Sequence, residues 1–140
     1  MKASLRILSG ILMIACLASC SGSGRGGKAK SDAQVLQEEF QAMQTSLPAA
    51  LEGGVSMTAI GYDAEENLVS CEYLVPGMEV LSDEEKQIQH QVFCGGITGF
   101  FDERQKELFT RLRPDIRILI RNAEEELVLD DTLHCDEYLR

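Results

Sequence analysis

Beyond residue 31 the apolar positions switch repeatedly between a period near 3.6 and a period of two. Val35, Leu36, Phe40, Met43 and Leu47 recur at helical spacing behind Asp32, a candidate N-cap, and Pro48 with Gly53-Gly54 closes the segment. From Val55 to Tyr62 and from Asn67 to Val75 the pattern alternates, which predicts two half-buried strands joined by the polar loop Asp63-Ala64-Glu65-Glu66. Pro76-Gly77 ends the second strand. Ser82-Asp83-Glu84-Glu85 then reads as a capping box, opening a helix that carries Ile88 and Val92. Gly95, Gly96 and Gly99 each weaken its continuation by about 1 kcal/mol relative to Ala, so a break belongs there. Asp102, answered by Gln105, restarts a helix through Leu108, Phe109 and Leu112 up to Pro114.

The final pattern is a hairpin. With Asn122 to Glu125 as its loop, Arg121 faces Glu126, Leu119 faces Val128 and Arg117 faces Asp130, while Ile116, Ile118 and Ile120 meet Asp131, Leu129 and Leu127 on the other side. The chain from 32 to 140 therefore reads helix, hairpin, helix, hairpin: one α+β domain with a four-stranded antiparallel sheet and its helices packed on one face. If Ile60, Val69, Tyr73, Ile118 and Leu129 face the helices, the opposite face carries Val55, Met57, Leu68, Leu74, Leu119 and Val128, bordered by Arg117, Arg121, Glu72 and Asp130. An apolar centre with a charged rim suits a partner or a second copy, and Leu119, Val128, Arg117 and Arg121 are the expected binding surface.

The amino terminus follows different rules. Lys2 and Arg6 precede the twelve-residue apolar run Ile7 to Ala18, which is shorter than the about 20 residues needed to span about 30 Å of hydrocarbon, so residues 1–19 read as an export signal. Residues 20–31 hold no apolar side chain larger than Ala after Cys20 and read as a flexible linker. Within it Gly22, Gly27 and Lys28 match the frame of a phosphate-binding loop, but Ala29 stands where the hydroxyl residue belongs and no strand precedes it. No nucleotide cofactor is expected. Leu17-Ala18-Ser19-Cys20 resembles the lipobox of bacterial lipoproteins. That resemblance implies cleavage before Cys20, a diacylglycerol on its thiol and an acylated (palmitate-type) new amino terminus, two or more chains being enough for stable anchoring. Ser21 in place of Asp points to outer-membrane sorting, with the domain facing the periplasm.

Composition sharpens this picture in one respect. The whole chain has 13 Lys+Arg against 23 Asp+Glu, and from Cys20 onward 11 basic residues face 23 acidic ones, a balance that argues against nucleic acid as a partner. Carboxylates cluster at Glu124-Glu125-Glu126, Asp130-Asp131 and Asp136-Glu137 without the spacing of a calcium loop, and no catalytic residue is assigned.

Cys71, Cys94 and Cys135 remain after the lipidated Cys20. In an exported chain one pair and one leftover thiol are expected, with three pairings open. Cys71 sits mid-strand on the apolar side, so the expected disulfide is Cys94 to Cys135. His90, Cys94, His134 and Cys135 supply metal-ligand types, and His90 and Cys94 lie one helical turn apart, but adjacent His134 and Cys135 in a strand point to opposite faces. No metal is expected on these grounds.

Residues Leu47 to Val75, with the alternating Ser56-Met57-Thr58-Ala59-Ile60-Gly61-Tyr62-Asp63, the turn exit Asn67-Leu68-Val69 and Tyr73, also resemble small lipoproteins of the Bacteroidota type, for which the resemblance implies no activity. The expected function is a lipid-anchored, noncatalytic envelope binding or assembly module, with an envelope protein or a second copy as partner. The alternative is a small metal- or thiol-dependent envelope enzyme using His90, Cys94 and Cys135.

Overall fold

The computed structural model describes residues 31–50 and 54–139. The expected export signal, Cys20 and the expected linker up to residue 30 lie outside them. Helix α1 (Asp32–Gln44) leads through the two-residue strand β1 (Ala49–Ala50) to β2 (Ser56–Asp63) and β3 (Leu68–Leu74). Helix α2 (Asp83–Gly96), a 3-10 turn (Ile97–Phe100) and α3 (Glu103–Leu112) follow, and then β4 (Asp115–Arg121), β5 (Leu127–Leu133) and the single turn α4 (Cys135–Tyr138). The strands form one sheet in the order β1-β2-β3-β4-β5.

The sheet is mixed and has five strands, where four antiparallel strands are expected from the sequence. The hairpins β2-β3 and β4-β5 are antiparallel, but β3 and β4 pair in parallel, Leu68 opposite Asp115 through Leu74 opposite Arg121. The cause is the connection. Residues 75–114 hold two helices, and a helix-bearing crossover returns the chain to the end of the sheet from which β3 started, so the next strand runs alongside it. The sequence presents each hairpin clearly, but the antiparallel direction expected between the hairpins is overturned by this crossover.

Two bulges decide which side chains enter the core. Between β2 and β3 the register shifts at Met57/Ala59, so Met57 pairs with Tyr73 and Ile60 with Cys71. Met57, Ile60 and Tyr62 all turn inward, and Val55 is buried as well. Strict alternation assigns Val55 and Met57 to the opposite face, because one extra residue flips the parity of everything beyond it. Between β4 and β5 a second shift near Arg121 moves the pairing by two residues: Ile120 faces Leu129, Ile118 faces Asp131 and Ile116 faces Leu133. Val128 is the residue set free by that shift, and it is buried at 1% exposure.

Three helices start on capping boxes, at Ser31 with Gln34, Ser82 with Glu85 and Asp102 with Gln105. The last two match the sequence reading. At the first, Asp32 is one position inside the helix and pairs with Arg111 of α3 through two bonds of 2.9 and 3.0 Å. Helix α1 lies against β2 and α3, and α2 against β5 and α4. Leu36, Phe40 and Met43 of α1, Phe93 of α2, Phe109 of α3 and the inward residues of β2 to β5 make one core. Asn67 fastens the crossover. Its backbone sits at φ 51°, Tyr62 donates to its Oδ1 (2.7 Å), and its Nδ2 donates to the carbonyls of Leu112 (2.8 Å) and Arg113 (3.3 Å). The Asp115 N–H completes the joint on the Asn67 carbonyl at 3.1 Å.

Candidate functional site

The outward face of the sheet carries Leu119 at its middle, half-buried between Glu72 of β3 and Asp130 of β5. Arg117 forks onto Asp130 with bonds of 2.9 and 2.8 Å, and Arg121 approaches Glu72 at 4.0 Å. Arg117 and Asp130 are thus partners, although diagonally and not as a directly opposed pair, since Arg117 stands opposite Thr132. Hydrogen bonding to Arg117 holds the Asp130 carboxyl below its ordinary value. Of the four expected surface residues, Arg117, Leu119 and Arg121 share this face. Val128 does not, and with Val55 and Met57 also buried the apolar part of this face shrinks to Leu68, Leu74 and Leu119, the last enclosed by ion pairs. The charges that were to orient a partner already neutralise one another.

A second cluster sits where α2 crosses β5. Asp131 occupies an inward position of β5 opposite Ile118, and a carboxylate there must find a polar partner. His90 of α2 supplies it: its Nδ1 lies 2.9 Å from both Asp131 oxygens. A carboxylate only accepts, so this geometry places a proton on Nδ1. His90 Nε2 points the other way, 3.1 Å from Glu137 Oε1 and 3.6 Å from Cys94 Sγ. Burial pulls the His90 pKa down, but the hydrogen bonds to Asp131 and Glu137 outweigh it and hold the imidazole above its ordinary value. Glu137 is held below its ordinary value, first by the His134 backbone N–H that donates to its carboxylate (3.0 Å) and then by His90. Beside this cluster a cleft of about 520 Å³ is lined by Gln91, Cys94, Gly95, Thr98, Glu137 and Tyr138.

The expected disulfide is not formed: Cys71, Cys94 and Cys135 are all thiols. Cys94 Sγ is turned to His90, while Cys135 Sγ faces Asp136 Oδ1 at 3.8 Å, and the two sulfurs serve different neighbours. Cys71 is enclosed in the core, where burial pushes its thiol up to about 12. The four candidate metal ligands also divide. His90 and Cys94 come together, but His134 leaves for Asp115 (3.2 Å), whose other oxygen accepts the Cys135 N–H (3.1 Å). Glu137 joins His90 and Cys94 in their stead, with Asp131 behind the ring on Nδ1. The available signal was Asp131 itself, an acid on the isoleucine side of the hairpin, which demanded a partner from a covering helix.

Helix α2 also presents an apolar stripe to solvent. Ile88 is 44% and Val92 39% exposed, one turn apart on the helix whose next residues, Cys94 and Gly95, border the cleft. The core side of α2 is Gln89, Phe93 and the following Ile97.

No protein-family model matches this sequence, and no curated protein matches it. Among solved structures, the pilotin EpsS from the Vibrio vulnificus type 2 secretion system superposes with a TM-score of 0.52 at 15% sequence identity, covering 76% of this chain and 91% of that one. The type II secretion system pilotin AspS from Vibrio cholerae gives 0.47 at 13% identity over the same shares. The described domain therefore shares the α+β fold of the Vibrio vulnificus pilotin over nearly the whole of that protein.

Proposed function

We propose that this chain is a lipid-anchored, noncatalytic assembly module of the bacterial cell envelope, held at the outer membrane by acylated Cys20 and facing the periplasm. The observation that carries the reading is the fold likeness to a secretion-system pilotin over 91% of that chain. The lipobox-like Leu17-Ala18-Ser19-Cys20 supports the anchor, and the acidic linker-borne domain supports a proteinaceous partner. The partner-facing surface in this reading is the Ile88–Val92 ridge with its adjoining cleft. Two exposed apolar residues at i, i+4 beside a groove fit an amphipathic segment, and the excess of acid over base favours one flanked by Lys or Arg.

The test uses the full chain in its own cells. Intact mass of the membrane fraction should show the acylated Cys20, and Cys20→Ala should leave an unprocessed precursor. Ile88→Lys with Val92→Lys should abolish co-purification of an envelope protein, with the fold unaffected because both sites are exposed. Leu119→Lys should leave the complex in place; loss of the complex through Leu119→Lys alone would move the docking face to the sheet, and an unmodified Cys20 would sink the anchor.

A further inference from the structure

The His90 cluster has a geometry that ion pairing does not require. Zinc bound tetrahedrally, with Zn–N and Zn–O near about 2.0–2.1 Å and Zn–S near about 2.3 Å, sets its ligands about 3.6 Å apart for N and S and about 3.3 Å for N and O. His90 Nε2 lies 3.6 Å from Cys94 Sγ and 3.1 Å from Glu137 Oε1. All three ligand atoms fall within 4.8 Å of one another. We propose that His90 Nε2, Cys94 Sγ and Glu137 Oε1 bind one zinc ion, leaving its fourth position open to the adjoining cleft.

Three features of the fold favour a site over a chance encounter. His90 and Cys94 are one helical turn apart on α2, so a well-formed helix fixes their mutual distance. Glu137 is held by the capping contact of α4, its Oε2 on the His134 N–H leaving Oε1 for the metal. Asp131 accepts from Nδ1 with both oxygens, which fixes the ring and aims Nε2 at the other two ligands, the role a carboxylate takes behind a metal-bound histidine. A mixed nitrogen, sulfur and oxygen set suits a borderline-soft ion, and three protein ligands with an open fourth position leave room for water or for a group brought by a bound partner. The cleft wall of Gln91, Gly95, Thr98 and Tyr138 is where that fourth group would arrive. On binding, His90 Nε2 and the Cys94 thiol each give a proton to solvent, the freed Nε2 lone pair and the thiolate bond the metal, and His90 keeps its Nδ1 proton on Asp131.

The site adjoins the cleft of the docking reading but does not rest on it, and it is tested without any partner. The full chain, untagged and purified without chelator, is loaded with zinc, gel-filtered and assayed by mass spectrometry for metal, then titrated against a chromophoric chelator. The expected result is one zinc per chain, an affinity lowered about 100-fold or more by Cys94→Ser and about 10- to 100-fold by Asp131→Asn, and no change with Cys135→Ser. Cobalt substitution gives a readout for the sulfur ligand: a near-ultraviolet thiolate-to-cobalt band present in the native chain and in Cys135→Ser, and lost in Cys94→Ser. Cys94 is half-buried and Ser is close to it in size, so this variant keeps the fold. Zinc that washes off in gel filtration, or cobalt bound with no thiolate band, overturns the proposal and leaves His90 as a bridge between two carboxylates.

Discussion

Replacing Asn67 tests how the two hairpins are joined. In the structure Asn67 holds a left-handed backbone at φ 51° and stands between Tyr62, Leu112 and Arg113, at the point where α3 delivers the chain into β4. Ala at this φ costs about 1 kcal/mol that Asn largely escapes. Loss of the bonds at 2.7 and 2.8 Å adds about 1 kcal/mol each, because the Tyr62 hydroxyl and the Leu112 carbonyl are part-buried and poorly replaced by water. Asn67→Ala should therefore cost roughly 3 kcal/mol, and Asn67→Gly, which restores backbone freedom but not the bonds, roughly 2 kcal/mol. Tyr62→Phe should couple to Asn67→Ala by about 1 kcal/mol in a double-mutant cycle, the share that belongs to their shared bond. Urea unfolding followed by circular dichroism reads these values, provided the slope of free energy against urea is unchanged. An Asn67→Ala chain within about 0.5 kcal/mol of the native one would show that the joint between α3 and β4 does not depend on this side chain.

Three further outcomes are expected. Val128→Ala should cost about 2 kcal/mol and Leu119→Ala under about 1 kcal/mol, since the bulge buries the first and leaves the second on the open face; equal costs would mean strict alternation is right after all. Iodoacetamide at mild alkaline pH should modify Cys94 and Cys135 in the folded, chelator-treated chain and Cys71 only after denaturation, because burial holds that thiol protonated; peptide mapping that finds Cys71 modified at the rate of Cys135 would contradict its placement. Gln89 is fully buried on α2 and neither of its amide atoms has a hydrogen-bond partner among the described residues, so Gln89→Met should raise stability by about 1–2 kcal/mol, and a destabilised variant in urea would show that the amide is satisfied.

Much of this fold is local, and local features are what a sequence displays. The capping boxes at Ser82 and Asp102, the loop after Asp63 and the arrest at Pro114 each depend on neighbours within a few residues, and each is where the sequence places it. Parity along a strand propagates errors instead. One bulge near Thr58 reverses Val55 and Met57, and another near Arg121 reverses Val128, which removes half of the apolar surface that alternation predicts. Nothing in a single sequence marks those positions, since a bulge is stabilised by the twist of the whole sheet. The direction of β4 against β3 is likewise set by how two helices fill the crossover. The His90 cluster was half legible: the i, i+4 pair His90 and Cys94 stands in the sequence, but its completion by Asp131 and Glu137 requires β5 and α4 to pass beneath α2. The two-residue β1 and the one-turn α4 carry too few positions to show a period.

The central claim is that this domain serves the envelope by holding another protein. A photo-crosslinking residue placed at Ile88 of the chain expressed in its own cells measures that directly, with Thr110, an exposed residue of α3, as the control position. The account predicts a discrete crosslinked envelope protein from Ile88 in the membrane fraction, none from Thr110, and loss of the adduct with Cys20→Ala, which removes the proposed anchor. No adduct at Ile88 in anchored protein, or the same products from both positions, would contradict it.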